Sequence, residues 1–277
     1  MTSPGTPHVG AAQAATLFEA ARACLDADAP DTKPAATLAA ADAFLRGELA
    51  VPADAGAPEP ITNPGRPARP TLVHPRQLPR RGFGTAEGRA AFIHAVAHIE
   101  FNAMDLAWDA VYRIRDMPAQ YYADWVGVAR DEARHFNLLR ARLHVLGHEY
   151  GDFDAHDGLW RMAEKTADDG LARMALVPRV LEARGLDVTP AMIVKLREFG
   201  DEATAAILEV ILREEVAHVA AGTRWFRWFC AQRGVEPRET FRALLREHAS
   251  GVLHPPFNLE ARAAAGFDEE ELAALTA

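Results

Sequence analysis

Arg130-Asp131-Glu132-Ala133-Arg134-His135 and Arg213-Glu214-Glu215-Val216-Ala217-His218 say one thing twice. Each sets a glutamate and a histidine three residues apart, side by side on one face of an α-helix, with a second acid just before the glutamate. Apolar residues recur around both at helical spacing: Trp125, Val128, Ala129, Phe136 and Leu139 share a face with the first pair, Leu208, Ile211, Leu212 and Val219 with the second. Both polar pairs therefore point into a core stripe, where a carboxylate without a partner is costly.

Working outward, the first pair lies on a helix expected from Pro118 to Gly147, preceded by one from the N-cap Thr85 to about Arg115. Glu100 shares a face with Ile93, Val96, Ala97, Ala103, Met104 and Ala107 on that preceding helix, and it too needs a partner. With the turn at Met117, Glu100 and Glu132 come within roughly 3 Å of equal depth, at about 1.5 Å per residue. The second pair repeats the geometry. With the turn at Gly200, Glu182 stands opposite Glu215; the alternative on that helix is Glu164, beside Asp168 on a face that reads as exposed. The helix carrying Glu182 should begin near Asp157, weaken at Gly170, lose a hydrogen bond at Pro178 and stop at Gly185, with a shorter helix from Thr189-Pro190 to Phe199; the last long helix should reach Cys230.

One Glu-x-x-His is close to what chance supplies in a chain this long. Two, each matched in depth by an acid on the preceding helix, point to a dinuclear metal site held by Glu100, Glu132, His135, Glu182, Glu215 and His218. Buried ion pairs to Arg134 or Arg213 are the alternative. Four carboxylates and two neutral imidazoles carry a charge that two divalent cations would cancel, and this donor set suits iron or manganese better than thiophilic ions, with zinc still compatible.

The 277 residues are 49% hydrophobic with a net charge of -9, enough for a sizeable core and unfavourable for phosphate-backbone binding, so nucleic acid is not an expected partner. Two cysteines, Cys24 and Cys230, exclude a disulfide framework or a four-cysteine metal site. Residues 1–10 lack a leader's basic and apolar regions and no run is long enough to span a membrane, so a cytoplasmic protein is expected. The organisation expected is all-α: accessory helices over 1–50 (11–27 and 33–49, with no convergent polar set), a proline-rich strap over 51–84, a four-helix bundle over 85–231, and further helices over 232–277, around 238–247 and 268–275. Arg66, Arg69, Arg76, Arg80 and Arg81 of the strap could mark a partner surface or simply be solvated.

At the six candidate ligands the chain resembles the ferritin-like di-iron carboxylate superfamily, in which one Glu from each of two helices and Glu-x-x-His from each of the other two bind the metals. The resemblance covers about residues 86–231. It implies a ferritin-like bundle of two antiparallel helix pairs, with Glu100 and Glu182 as terminal carboxylates, Glu132 and Glu215 as bridging ones, and His135 and His218 as one imidazole per metal. His156-Asp157-Gly158-Leu159-Trp160 and Leu181-Glu182-Ala183-Arg184-Gly185-Leu186-Asp187 are similar to motifs of an uncharacterised bacterial ferritin-like family. Rubrerythrins resemble the core but add a cysteine-rich domain absent from this sequence; the transfer-RNA hydroxylase branch is similar in size and ligands.

The expectation is a dinuclear-iron protein, with manganese or mixed manganese and iron compatible, that activates O2 or peroxide as an oxidase or monooxygenase on a small organic substrate. A separate electron donor would serve it, since the sequence has neither a cysteine cluster nor a dinucleotide fingerprint. A homodimer is compatible. The alternative is a non-oxygenase metal protein: a ferroxidase, peroxide scavenger or metal-binding scaffold. Asp105 and Asp124 are candidates to orient a ligand histidine, His156 to carry protons or remain a loop residue, and His98 to lie at the surface or between helices. Trp125, Phe136, Trp225, Phe226 and Trp228 read as core rather than as an electron pathway.

Overall fold

The computed structural model describes residues 16–79 and 81–276, so the helix start expected at 11–15, the leader reading of 1–10 and Arg80 lie outside it. The chain is all-helical. Among the described residues, β pairing is confined to two isolated bridges, Thr16 with Ala50 and Leu72 with Ala155.

Two long helices, α3 (Ala86–Arg113) and α4 (Ala119–Val145), fold back on one another, and α7 (Ala183–Glu198) does the same with α8 (Glu202–Arg233). The Thr85 hydroxyl accepts the Gly88 N–H at 3.0 Å and starts α3. At the α3–α4 turn the Tyr121 and Tyr122 hydroxyls donate to the Ala110 and Ile114 carbonyls, at 3.1 and 3.2 Å, and stitch the two helices together. Asp201 caps α8 by accepting the Thr204 N–H and also receives Arg142 from the end of α4 at 2.8 Å, so the two pairs are tied at that end. Face to face, α4 and α8 bring the two Glu-x-x-His motifs together.

Two accessory helices, α1 (Leu17–Asp26) and α2 (Thr32–Leu45), cover α3 and α4. Contrary to expectation they do carry a convergent polar group. Lys33 of α2 is fully buried, pairs with Asp105 and donates to the Cys24 and Leu25 carbonyls at 3.1 and 3.2 Å. The proline-rich strap is extended apart from a short 3-10 turn at Pro75–Gln77. Its contacts are specific: the Gly65 N–H donates to the Leu25 carbonyl at 2.7 Å, and Trp160 donates to the Thr62 carbonyl at 2.8 Å. Arg69 and Arg76 are exposed, while Arg66 reaches Asn102 and Arg81 lies over the Phe153 ring.

The region before α7 departs most from expectation. It is two helices, α5 (Gly158–Lys165) and α6 (Gly170–Leu176), because Asp169 accepts the Leu171 and Ala172 N–H groups and starts a new helix. Gly170 is where Phe229 of α8 approaches; a Cβ there would lie 2.7 Å from its ring. Pro178 opens a π-helical turn, Val177–Glu182, which leads directly into α7. Neither Gly185 nor Pro190 stops α7. Pro190 withholds the N–H that Leu186's carbonyl would receive, and the Asn258 side-chain amide donates to that carbonyl instead, at 3.2 Å. In the tail, α9 (Pro237–His248) and α11 (Glu269–Thr276) sit where expected, with an unexpected α10 (Leu259–Ala264) between them.

The Pro178 ring rests on Gly222 of α8, where a Cβ would overlap it. Gly222→Ala gains about 1 kcal/mol of helix propensity, whereas overpacking a filled site typically costs about 1–3 kcal/mol. The variant is expected to have a lower Tm than the wild type in thermal denaturation; an unchanged or higher Tm would show that this contact does not limit the π-turn.

Candidate metal centre

Each candidate ligand comes from a different point of the two helix pairs: Glu100 from α3, Glu132 and His135 from α4, Glu182 from the end of the π-turn, and Glu215 and His218 from α8. One donor atom from each of Glu100, Glu132, His135 and Glu215 lies within 4.8 Å of the others. Glu132 stands between the histidines, its two oxygens 3.5 Å from His135 Nδ1 and 3.0 Å from His218 Nδ1. Glu100 is 3.2 Å from His135 Nδ1, and Glu215 is 3.4 Å from His218 Nδ1. Glu182 borders one cavity together with Glu100, Glu132 and Glu215. Four of the six expected residues, Glu100, Glu132, His135 and Glu215, thus form one cluster; His218 lies against Glu132 and Glu215, Glu182 borders the cavity beside them, and the alternative Glu164 is exposed.

The alignment of these groups is informative. Glu132 is buried, yet among the described residues neither of its oxygens has a hydrogen-bond partner, and the same holds for Glu182 Oε2 and His218 Nδ1. His218 Nδ1 is close to Glu132 without the direction a hydrogen bond requires. Buried polar atoms are ordinarily paired, so a cluster of unpaired donor atoms facing one another fits a cation between them. Carboxylate oxygens and imidazole nitrogens are also a suitable set for such an ion.

Two acids that sequence reasoning noted but did not assign complete the centre. His135 Nε2 lies 2.7 Å from Glu214, and His218 Nε2 lies 3.4 Å from Asp131. A carboxylate only accepts, so Nε2 carries the proton and in the neutral ring the Nδ1 lone pair faces inward. Each motif's leading acid therefore holds the histidine of the opposite helix. Arg134 bridges the two acids, 2.7 Å from Asp131 and 3.4 Å from Glu214, and so does not neutralise the inner glutamates. The expected orienting acids are engaged elsewhere: Asp105 with Lys33, and Asp124 with Arg224 and Trp225 Nε1. His98 is buried, 2.8 Å from the Tyr150 hydroxyl, and His156 accepts the Gly158 N–H at its Nδ1.

The electrostatics of the chain alone match this crowding. Burial, reinforced by the charge of Glu132, pushes Glu100 well up and also raises Glu215; burial with Glu215 and Glu132 pushes Glu182 to about 8. Burial would lower His135, but its hydrogen bond to Glu100 and the adjacent negative charge of Glu132 outweigh that and raise it to about 11. His218 also rises because Glu215, Asp131 and Glu132 overcome its burial, while the two histidines hold Glu132 low against its own burial.

Beside the acids lies a cavity of about 370 Å3, walled largely by aliphatic side chains of α3, α7 and α8. The π-turn at its edge is held from the C-terminal tail. Arg179, fully buried among the rings of Phe226, Phe241 and Phe267, pairs with Glu271 of α11, and Asp187 pairs with Arg262 of α10 at 2.7 Å.

A raised carboxyl has a definite consequence for stability. Glu182 is protonated in folded and unfolded chains below about 4.5; its contribution is full there and is lost as pH rises through about 8, because only the unfolded chain ionises freely. Chelator-treated wild-type protein is therefore expected to lose more stability between pH 5 and pH 8 than Glu182→Gln, with the variant the more stable at pH 8. Denaturant titrations giving equal pH slopes for both would contradict this.

With the geometry in place, comparison with known proteins adds its own result. Residues 26–273 match the family described as protein of unknown function (DUF455). An uncharacterized protein of Haemophilus influenzae is 45% identical to the chain, over 74% of each sequence. No solved structure matches. The matched residues take in α2, the strap, every candidate ligand and most of the tail, and the chain belongs to the DUF455 family.

Proposed function

We propose that the protein is a ferritin-like dinuclear metal protein that activates O2 or peroxide and acts as an oxidase or monooxygenase on a small organic substrate. Iron is the expected metal, with manganese or a mixed pair compatible. The observation that carries this reading is the cavity that borders Glu100, Glu132, Glu182 and Glu215. A ferroxidase, scavenger or scaffold has no use for an apolar chamber of ligand size beside its metals, whereas small-molecule sites usually occupy about 300–1,000 Å3.

Glu100, Glu132, His135, Glu182, Glu215 and His218 would hold the two ions. Two such ions, once bound, supply the redox chemistry. The remaining work belongs to the chain. Glu214 and Asp131 keep the ring nitrogens of His135 and His218 protonated on the outer side and thereby aim the inner ones. The four carboxylates would balance the charge of the ions. Apolar walls limit water around the reacting centre. Protons that His135 and the raised carboxyls hold in the chain alone would leave on metal loading, so affinity should rise with pH. Cys24 and Cys230 are both buried and separate, so electrons would come from a separate donor.

Rapid mixing of anaerobic, ferrous-loaded protein with O2 is expected to give a transient visible absorbance that forms and decays within the reaction, with O2 consumed. Bound iron that leaves dissolved O2 and the spectrum unchanged would overturn the oxygenase reading.

A further inference from the structure

We infer that the cavity beside Glu182 selects an uncharged, largely hydrocarbon small molecule. This deepens the dinuclear reading by naming its substrate class, and rests on that reading for what the cavity serves, although the cavity itself belongs to the chain.

The walls carry the argument. Val96, Leu106, Leu181, Val188, Met192 and Ile211 present only carbon and sulfur to the space. One cationic side chain at its edge, Arg184, is already committed: its guanidinium donates to the His254 and Pro256 carbonyls at 2.6 and 2.9 Å and lies 3.6 Å from Asp187. It is not free to receive a substrate carboxylate or phosphate. His156 accepts the Gly158 N–H at Nδ1, which leaves its Nε2–H as an uncharged donor, and among the described residues Thr189 is the one hydroxyl on the wall. The acids at the inner end are those assigned to the metals, so a cationic ligand would find no unclaimed partner there. A charged group taken into such a space loses its hydration with nothing in exchange. A methylene gains by leaving water.

The opening is apolar as well. Ile99 of α3 is 48% exposed on the rim, next to Phe92 and Ala95. Exposed apolar residues are ordinary when single, but here they continue the lining of the chamber outward and give a hydrocarbon an unbroken apolar path. Gly185 of α7 lines the same space, and an added Cβ there would meet no atom of the described residues within 4 Å. That position faces open space, and a larger residue would be accommodated by a helix that already passes through it.

The test is calorimetric titration of the full-length, metal-loaded protein with primary alcohols from butanol to octanol and with alkyltrimethylammonium ions of the same chain lengths. Alcohol affinity is expected to rise about four-fold per methylene until the chamber is filled. The ammonium series should bind about ten-fold more weakly or worse, because its charge has no partner. Gly185→Leu should weaken the longest alcohols by a similar factor of about ten while metal content stays at the wild-type value. Affinity without chain-length dependence, ammonium ions binding as well as alcohols, or a Gly185→Leu protein that binds like wild type would each overturn the inference. Metal content is read on the same samples. If it is near zero the dinuclear reading fails, and the same series on the metal-free protein still decides whether the cavity takes hydrocarbon.

Discussion

Four carboxylates and two imidazoles gathered in a water-poor interior form the constraint on which the rest of this architecture depends. Each carboxylate alone would prefer to be neutral there, as the raised Glu100, Glu182 and Glu215 show. Side by side they raise one another further. Only a matching positive charge removes the conflict, and in the chain alone the protons on His135 and His218 take part of that role. The outer layer is then arranged for an inward-facing lone pair. Asp131 and Glu214 each hold the histidine of the facing helix, and Arg134 locks the two acids to each other. Such an arrangement sacrifices stability at one place, which is characteristic of a functional centre rather than of a structural one.

The two halves of the centre are built differently. On one side α3 and α4 run without a break past Glu100 and Glu132. On the other, the chain reaches Glu182 through a π-turn that Pro178 opens and Gly222 makes room for, and α7 continues past a proline because Asn258 satisfies the carbonyl it strands. Turns of this kind in α-helices are often found at functional sites, where a shifted register re-aims a side chain. Here the shifted side chain is a candidate ligand with the cavity beside it. The tail gains a reason to exist from this: α10 and α11 supply Arg262 and Glu271, whose buried partners are Asp187, just after the turn in α7, and Arg179, within the turn.

Much of this was readable in the residues. The long helices follow from apolar spacing and from Thr85, Gly147 and Gly200 as end signals, and the six site residues from acids and histidines stranded on core faces. The depth argument succeeded because helical rise is nearly constant: 17 and 15 residues from one turn must meet. What escaped has physical causes too. Which neighbour Asp131 and Glu214 serve depends on the rotation of α4 against α8, which no single helix encodes. Lys33 is a single charge in an alanine-rich helix, and its burial is decided by Asp105, 72 residues away. Gly185 reads locally as a stop and Thr189-Pro190 as a fresh start, but tertiary contacts from α8 and the tail carry one helix, α7, through both. The acids preceding both motifs were the one visible sign of the outer layer.

Elemental analysis of the purified full-length protein, expressed with iron supplied, tests the central claim most directly. The account predicts close to two metal ions per chain, and Glu132→Ala, which removes the carboxylate standing between both histidines, is predicted to lose both while remaining helical by circular dichroism. A wild-type protein without metal, or a Glu132→Ala protein with undiminished metal content, would contradict it.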